Sequence, residues 1–238
     1  VLFTTSLALA VLFITLVGVL LIICSGSISG IISFNRFFLL LEYSDIDIEG
    51  KSVTSITITN VQDLLTKMRE VNINIYQEID PTAINDGHIR SKIEITKDVH
   101  MGLIGHIAVA ELLRREDKEC KIIFEDDAFH LVCNKKTIKV KNSLAKIKPC
   151  PDKHMKVFSI IGHKTKGETI FDYYAQIVFC NVPVIENDND CTINMFFVGF
   201  VHNSQLTEIK EFSKYDYTSA KISDSKDLNK LLEDLGDK

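Results

Sequence analysis

The chain of 238 residues carries 27 Lys and Arg against 32 Asp and Glu, and its net charge of −5 argues against a nucleic-acid-binding protein, because phosphate binding requires a basic surface. Hydrophobic residues make up 46% and charged residues 25% of the chain, a composition that excludes an intrinsically disordered protein. The length leaves room for a membrane anchor and one ordinary domain.

The first segment, Val1 to Ile23, contains no charged side chain. As an α-helix it would extend about 34 Å, enough to cross a hydrocarbon layer of about 30 Å. Its apolar core is longer than that of a cleaved signal peptide, and no Lys or Arg precedes it. We therefore predict an uncleaved signal-anchor over residues 1–23 and a single-pass membrane protein.

Residues 24–44 are the predicted exit from the membrane. Small residues fill Cys24 to Gly30, whereas Ile31 to Leu41 is apolar but interrupted by Asn35 and Arg36. The second stretch is too short to span the bilayer again. It is either an interfacial segment, in which Arg36 reaches the lipid headgroups, or the first buried strand of the domain.

Residues 45–238 predict a soluble domain that mixes helices and strands. Ser52–Thr59 alternates and is rich in β-branched residues, as in a strand. Asn60 can cap a helix over 61–71, and residues 71–75 alternate as a second strand. Ile93 and Ile95 indicate a third strand.

The segment Val99 to Arg115 predicts the central helix of the domain. Asp98 can cap it, and the helix is apolar nearly all round, which is typical of a buried helix. His100 and His106 lie on different faces of it, and we interpret them as core or edge histidines rather than metal ligands.

The second half predicts a largely antiparallel sheet, because short strand-like runs alternate with turn-forming residues. A final amphipathic helix begins at a Ser225 cap and ends at Gly236. The predicted fold class is α+β, with one N-terminal transmembrane helix followed by a mixed, largely antiparallel sheet domain with two or three packed helices. The predicted strands are Lys121–Phe124, Phe129–Cys133, Thr137–Val140, Lys156–Ile161, Thr169–Val182 and Cys191–Val201.

Two pairs of cysteines are placed symmetrically about predicted hairpin turns. Cys120 and Cys133 flank the Asp126-Asp127 pair, while Cys180 and Cys191 flank a second turn. Directly opposed residues on antiparallel strands lie within the Cα distance that a disulfide requires. The alternative is that these are small buried hydrophobic residues. Disulfides would indicate that the domain matures in an oxidising compartment.

No catalytic, cofactor or metal motif is present in the sequence. Cys150, His154 and His163 lack the paired spacing of a structural zinc site. Gly162 to Gly167 has its lysines before the second Gly, the wrong order for a phosphate-binding loop, and predicts a hairpin turn instead. We therefore expect no enzyme activity, no cofactor and no small-molecule substrate.

Lysines dominate residues 135–166, where Asp152 is the only acid. In the strand that contains Thr137–Val140, Ile138 and Val140 alternate with Lys139 and Lys141, so the lysines share one outward face. That face is either a contact surface for anionic lipid or an acidic partner, or an ordinary solvated strand face. The lysines that would make the anionic contacts are Lys135, Lys136, Lys139, Lys141, Lys146 and Lys148.

These features together predict a non-enzymatic, single-span subunit of a membrane-associated assembly. Its partners would be the lipid bilayer and other protein subunits. One alternative is an accessory subunit of an organellar or bacterial membrane complex. Another is a membrane-tethered hydrolase or redox enzyme.

The layout resembles that of the single-anchor envelope proteins of large DNA viruses, including insect viruses. The features that carry the resemblance are the apolar segment up to Ile23, Arg36 shortly after it, and a cysteine-bearing domain in which no asparagine begins an N-x-Ser/Thr sequon. The resemblance implies a location in the virion envelope and a role in its structure, assembly or entry.

Overall fold

The computed structural model describes residues 40–48, 50–59, 92–125, 128–145, 159–181, 192–212 and 215–236. The helices are α1 (Lys92–Arg115) and α2 (Leu228–Leu235), with short 3-10 helices η1 (Asn203–Gln205) and η2 (Ile222–Asp224). The strands are β1 (Leu40–Ile48), β2 (Lys51–Thr59), β3 (Cys120–Glu125), β4 (Ala128–Cys133), β5 (Lys136–Leu144), β6 (Ser159–Lys164), β7 (Tyr173–Phe179), β8 (Ile193–His202), β9 (Glu208–Phe212) and β10 (Tyr215–Lys221).

The strands form two sheets. The larger has seven strands in the order β1-β2-β8-β7-β5-β4-β3, and the smaller has three in the order β6-β10-β9. Every neighbouring pair is antiparallel except β5 and β7, which are parallel. A parallel pair needs a crossover connection, and here the chain crosses through β6 in the smaller sheet. The α+β prediction, with a largely antiparallel sheet and two helices, is confirmed.

The seven-stranded sheet is the middle layer of the domain. One apolar cluster joins its first face to α1 and α2, and a second joins its other face to β6, β10 and η2. β7 lies at the centre, and all seven of its residues are buried. Ala175 and Ile177 belong to the helix-side cluster, while Tyr174 and Val178 belong to the cluster under the smaller sheet. Because successive side chains of β7 point to opposite faces of the sheet, this one strand contributes to both cores.

Helix α1 is the principal helix of the first core, and all of its residues from Leu103 to Ala110 are buried. His100 and His106 are both buried in it, as the sequence suggests. Gly105 permits a close approach, because a side chain at that position would collide with Asn142 of β5.

The start of α1 differs from the prediction. The helix begins at Lys92, so Ile93 and Ile95 are helical and Asp98 lies inside the helix rather than capping it. No Gly or Pro stands between Lys92 and Val99, and short apolar runs are ambiguous between helix and strand. The long buried segment that follows therefore extends backwards through this stretch.

The β3–β4 hairpin confirms the first predicted cysteine pair. Cys120 lies directly opposite Cys133, with their Cα atoms 4.3 Å apart, at disulfide distance. The next turn, between β4 and β5, has positive φ at both Asn134 and Lys135, as a two-residue hairpin turn of type I′ requires. Local turn chemistry thus sets the register of three consecutive strands.

The second predicted cysteine pair is only partly described. Cys180 follows β7, and its N–H donates to the carbonyl of Asn194 on β8 (2.8 Å). Cys191 lies outside the described residues, so the pairing of these two cysteines stays a prediction.

Several predicted boundaries were wrong. The boundary between residues 44 and 45 falls inside β1, in which Leu41 is buried. Gly162 lies within β6, and β6 and β7 belong to different sheets, so 162–167 does not form a hairpin turn between paired strands. Asp227 rather than Ser225 caps α2, although Gly236 ends it with φ of 70°.

Three strands, β1, β9 and β10, were not predicted because acidic and polar residues interrupt their alternation.

The predicted helix over 61–71, the strand over 71–75 and most of 24–44, including Arg36, lie outside the described residues. So does the predicted anchor, Val1 to Ile23. Neither α1 nor α2 combines the length and the apolarity that a membrane crossing requires.

We expect the Cys120–Cys133 pair to be a disulfide in native protein. Closing a loop with a sequence separation of 13 residues should contribute about 3 kcal/mol to the free energy of unfolding, so the C120A/C133A variant should lose about that amount in urea unfolding followed by circular dichroism. The C180A variant is the control and should keep it. Recovery of Cys120 and Cys133 as free thiols in non-reducing peptide maps of native protein would contradict the assignment.

A second prediction concerns Gly199 in β8, which has φ of 145°. A Cβ there would meet the Ser225 side chain and lie 2.8 Å from the Lys226 carbonyl, whose own bond with the Phe200 N–H attaches the segment before α2 to β8. G199A should therefore lower the free energy of unfolding by about 1–3 kcal/mol. The matched variant G102A, in open space on α1, should raise it by about 0.5–1 kcal/mol. Equal stability of the two variants would show that the close approach is not needed.

Candidate functional site

The lysines of β5 divide into two groups. Lys135 and Lys136, at the turn before the strand and at its first residue, are exposed. Lys139 and Lys141 are half-buried and lie over aromatic rings. Lys146 and Lys148 lie outside the described residues. The predicted common face of Lys139 and Lys141 exists, but it is directed at aromatic side chains near β7 rather than fully at solvent.

Each half-buried lysine has a defined position. The Lys139 ammonium donates to the Phe129 carbonyl (2.6 Å) and lies 5.6 Å from the centre of the Phe171 ring. The Lys141 ammonium lies 5.9 Å from the centre of the Tyr174 ring. Both distances are within the range of a cation–π interaction. We call Lys139, Lys141, Phe171 and Tyr174 the lysine–aromatic cluster.

Hydrogen bonds from the smaller sheet fix the aromatic side of this cluster. The Tyr174 hydroxyl accepts from the Phe171 N–H (3.2 Å) and lies 3.2 Å from Nδ1 of His163 on β6. The His163 N–H in turn donates to the Thr218 hydroxyl on β10 (3.1 Å). Both sheets therefore hold the rings against which the lysines lie.

The charges around the cluster are unbalanced. Burial and the positive charge of Lys141 lower the pKa of Lys139 to about 8, while the negative charge of Glu168 opposes the change. Burial also lowers the pKa of Lys141, with Glu168 again opposing and Lys164 adding to the effect. Glu168 is not a free carboxylate, because its Oε2 accepts from the Lys164 backbone N–H (2.6 Å). In the described part of the chain, Lys139 and Lys141 thus share the influence of one carboxylate, an environment that favours a bound anion.

His106 stands behind β5, on the α1 side of the sheet. Its Nδ1 donates to the Gly102 carbonyl (2.6 Å), and its Nε2 accepts from the Val140 N–H (3.3 Å), so the ring is the neutral tautomer. The β4–β5 ladder covers only the three pairs from Leu131–Ile138 to Cys133–Lys136, and the imidazole binds the strand N–H beyond its end. His106 is therefore a structural residue that supports the strand carrying the lysines.

A surface cavity of about 210 Å³ lies elsewhere, between β8, β10 and the segment around η1. Its lining includes Glu208, Lys221 and Asp224 but no histidine or cysteine. Glu208 and Lys221 lie 3.8 Å apart as a surface ion pair. The cavity offers no paired nucleophile and base.

The other predicted or considered ligands do not converge in the part of the chain that the structure describes. There, no three His, Cys, Asp or Glu side chains come together in a way that could hold a metal ion. Cys150 and His154 lie outside that part, and His163 contacts Tyr174 and Thr218.

The sequence pointed to Lys139 and Lys141 but missed the residues that surround them. Phe171 and Tyr174 fall in a predicted strand, and Glu168 precedes it, yet nothing local connects them to β5. The parallel pairing of β5 with β7 places Lys139 beside Tyr174. A parallel partner separated by a crossover leaves no signal in the local pattern.

His106 should make the stability of the domain depend on pH. Burial, assisted by the charge of Lys139, lowers its pKa to about 3, whereas in the unfolded chain it stays near 6.5. The unfolded state therefore binds the proton at a higher pH than the folded state does. The contribution of His106 to the free energy of unfolding should be complete above pH 6.5 and should be lost progressively as the pH falls towards 3. The slope should reach up to about 1.4 kcal/mol per pH unit. H106Q should flatten this part of the profile in urea unfolding at several pH values, while the control H202Q should keep it. An unchanged slope in H106Q would contradict the assignment.

Comparison with known proteins provides no relative: no family model, no curated protein and no solved structure matches the chain.

Proposed function

We propose that the chain is a non-enzymatic, single-span membrane protein whose α+β domain contacts other subunits of a membrane-associated assembly. The observation that carries this proposal is the segment from Val1 to Ile23, which contains no charged side chain. A helix of this length matches the hydrocarbon thickness of a bilayer, and transfer of so much apolar surface out of water is strongly favourable.

The cysteine pair of the β3–β4 hairpin supports the same proposal. Cys120 and Cys133 lie at disulfide distance, and disulfides persist in oxidising compartments. A domain tethered to the outer side of a membrane is exposed to such a compartment. The assembly that best fits this layout is a virion envelope, where the protein would serve envelope structure, assembly or entry.

An exposed sheet edge supports the proposed contacts with other subunits. Strand β9 is an edge of the three-stranded sheet, and Ile209 on it is 66% exposed. Among the described strands β9 pairs with β10 alone, and we propose that its other side offers backbone groups to a strand of a partner subunit. Arg36 would add a contact with anionic lipid headgroups.

The membrane tether can be tested with charges placed inside the apolar segment. The full chain should remain in the membrane pellet after alkaline carbonate and dissolve only with detergent. The L12R/L16R variant should be released, because each Arg at the centre of a span costs about 2.5–3.5 kcal/mol on insertion. N229R, which adds a charge to an exposed position of α2, is the matched control and should stay in the pellet.

Release of the unsubstituted chain by carbonate, as a soluble monomer without detergent, would overturn the proposal. Cross-linking in the native membrane distinguishes between the candidate assemblies. Cross-linked proteins from enveloped particles would support the virion role. Cross-linked proteins from an organellar or bacterial complex would instead support an accessory subunit. A chain without protein neighbours would remove the subunit role altogether.

A further inference from the structure

The lysine–aromatic cluster holds two amines in a fixed relation to each other. Lys139 and Lys141 are two positions apart on β5, so their side chains leave the same face of the strand, with about 7 Å between their Cα atoms. Each ammonium rests against a ring that backbone and side-chain bonds hold in place. The pair is therefore partly ordered before any ligand arrives, which lowers the entropic cost of binding.

Their hydrogen bonding is incomplete in the part of the chain that the structure describes. Lys139 donates to one neutral carbonyl, that of Phe129, although an ammonium has three donors. Lys141 contacts the Tyr174 ring and has no acceptor among the described side chains and backbone groups. Donors remain on both amines for an outside acceptor.

Within the described residues, the positive charge of the pair exceeds the negative charge that interacts with both amines. Glu168 is the carboxylate that interacts with both amines, while Lys164 adds a third positive charge beside Lys141. Holding two like charges partly out of water is unfavourable unless an anion compensates them. Among the described residues, Glu168 offers one negative charge to the two amines of the pair.

A phosphate group can compensate the two positive charges better than a carboxylate does. It carries a charge of about −1.5 to −2 near neutral pH and offers three acceptor oxygens, so it can accept from both amines at once. Lysines bind phosphate as point charges and do not need the flat, two-pronged geometry of arginine. The aromatic rings exclude water from one side of the amines and thereby strengthen the attraction.

We propose that Lys139 and Lys141 bind a phosphate group, carried either by a phospholipid headgroup or by a soluble phosphate compound. Glu168 limits the positive charge of the two amines, and Phe171 and Tyr174 position them. The site does not depend on the membrane tether, because a soluble chain could carry it equally well.

The test follows the reactivity of individual lysines in the full chain. The protein is reconstituted in phosphatidylcholine nanodiscs and treated with acetic anhydride, with and without inorganic phosphate, and acetylation is read by mass spectrometry. Phosphate should protect Lys139 and Lys141 and leave Lys135 and Lys136 unchanged. Chloride at equal ionic strength controls for screening.

Binding of inorganic phosphate is measured in parallel by calorimetry. K139M/K141M, which keeps the alkyl stems, should lose at least about tenfold in affinity, whereas K135M/K136M removes the same charge nearby and should lose less than about twofold. Circular dichroism checks that both variants fold. If K139M/K141M does not fold, protection of the unsubstituted lysines decides the result alone.

The two sources of phosphate are separated by a second set of nanodiscs that contain phosphatidic acid. Protection of Lys139 and Lys141 there, without added phosphate, identifies a lipid headgroup. Protection by inorganic phosphate alone identifies a soluble compound. Absence of protection in both, or an equal loss of affinity in K135M/K136M, overturns the proposal without bearing on whether the chain is anchored in a membrane.

Discussion

The burial of β7 on both faces is the constraint on which the rest of the described domain depends. All seven of its residues are buried, and alternate residues join the helix-side core and the core under the smaller sheet. A strand enclosed in this way must have every backbone group paired, and β5 and β8 supply those partners. The three layers therefore pack around one central strand, and pairing with β7 fixes the positions of β5 and β8.

The candidate site is a consequence of this arrangement. The chain leaves β5, crosses through the smaller sheet and returns as β7, so that β5 and β7 become parallel neighbours. The same crossover brings Phe171, Tyr174 and Glu168 to the lysines of β5. On the opposite face, His106 binds Val140 where β4 separates from β5. Packing of the core and placement of the lysines are thus two results of one topology.

Polar contacts and a cysteine pair are found near the two edges of the large sheet. At one edge, Cys120 and Cys133 join β3 to β4, and the Arg114 guanidinium of α1 donates to the Cys120 carbonyl (2.9 Å and 3.1 Å). Toward the other edge, the Lys51 ammonium donates to the carbonyl of Ser225 (3.1 Å) and holds the segment before α2 against β2. Burial lowers the pKa of Lys51 to about 8, while the negative charges of Asp224 and Asp227 oppose the change. These contacts attach α1 and the segment before α2 to the sheet.

By itself, the sequence determined the features that depend on neighbouring residues. Alternation identified β2, and strand-like runs on either side of turn residues identified β3 and β4. The spacing about one turn paired Cys120 with Cys133, and Gly236 marked the end of α2. It also located the lysines of β5. Only the tertiary structure decided that α1 starts at Lys92, that β6 leaves the main sheet, and that Lys139 and Lys141 lie over aromatic rings. The hairpin that pairs Cys120 with Cys133 and the glycine that ends α2 are local features, so neighbouring residues indicate them, whereas a crossover brings together residues whose partners are chosen by burial of the whole core.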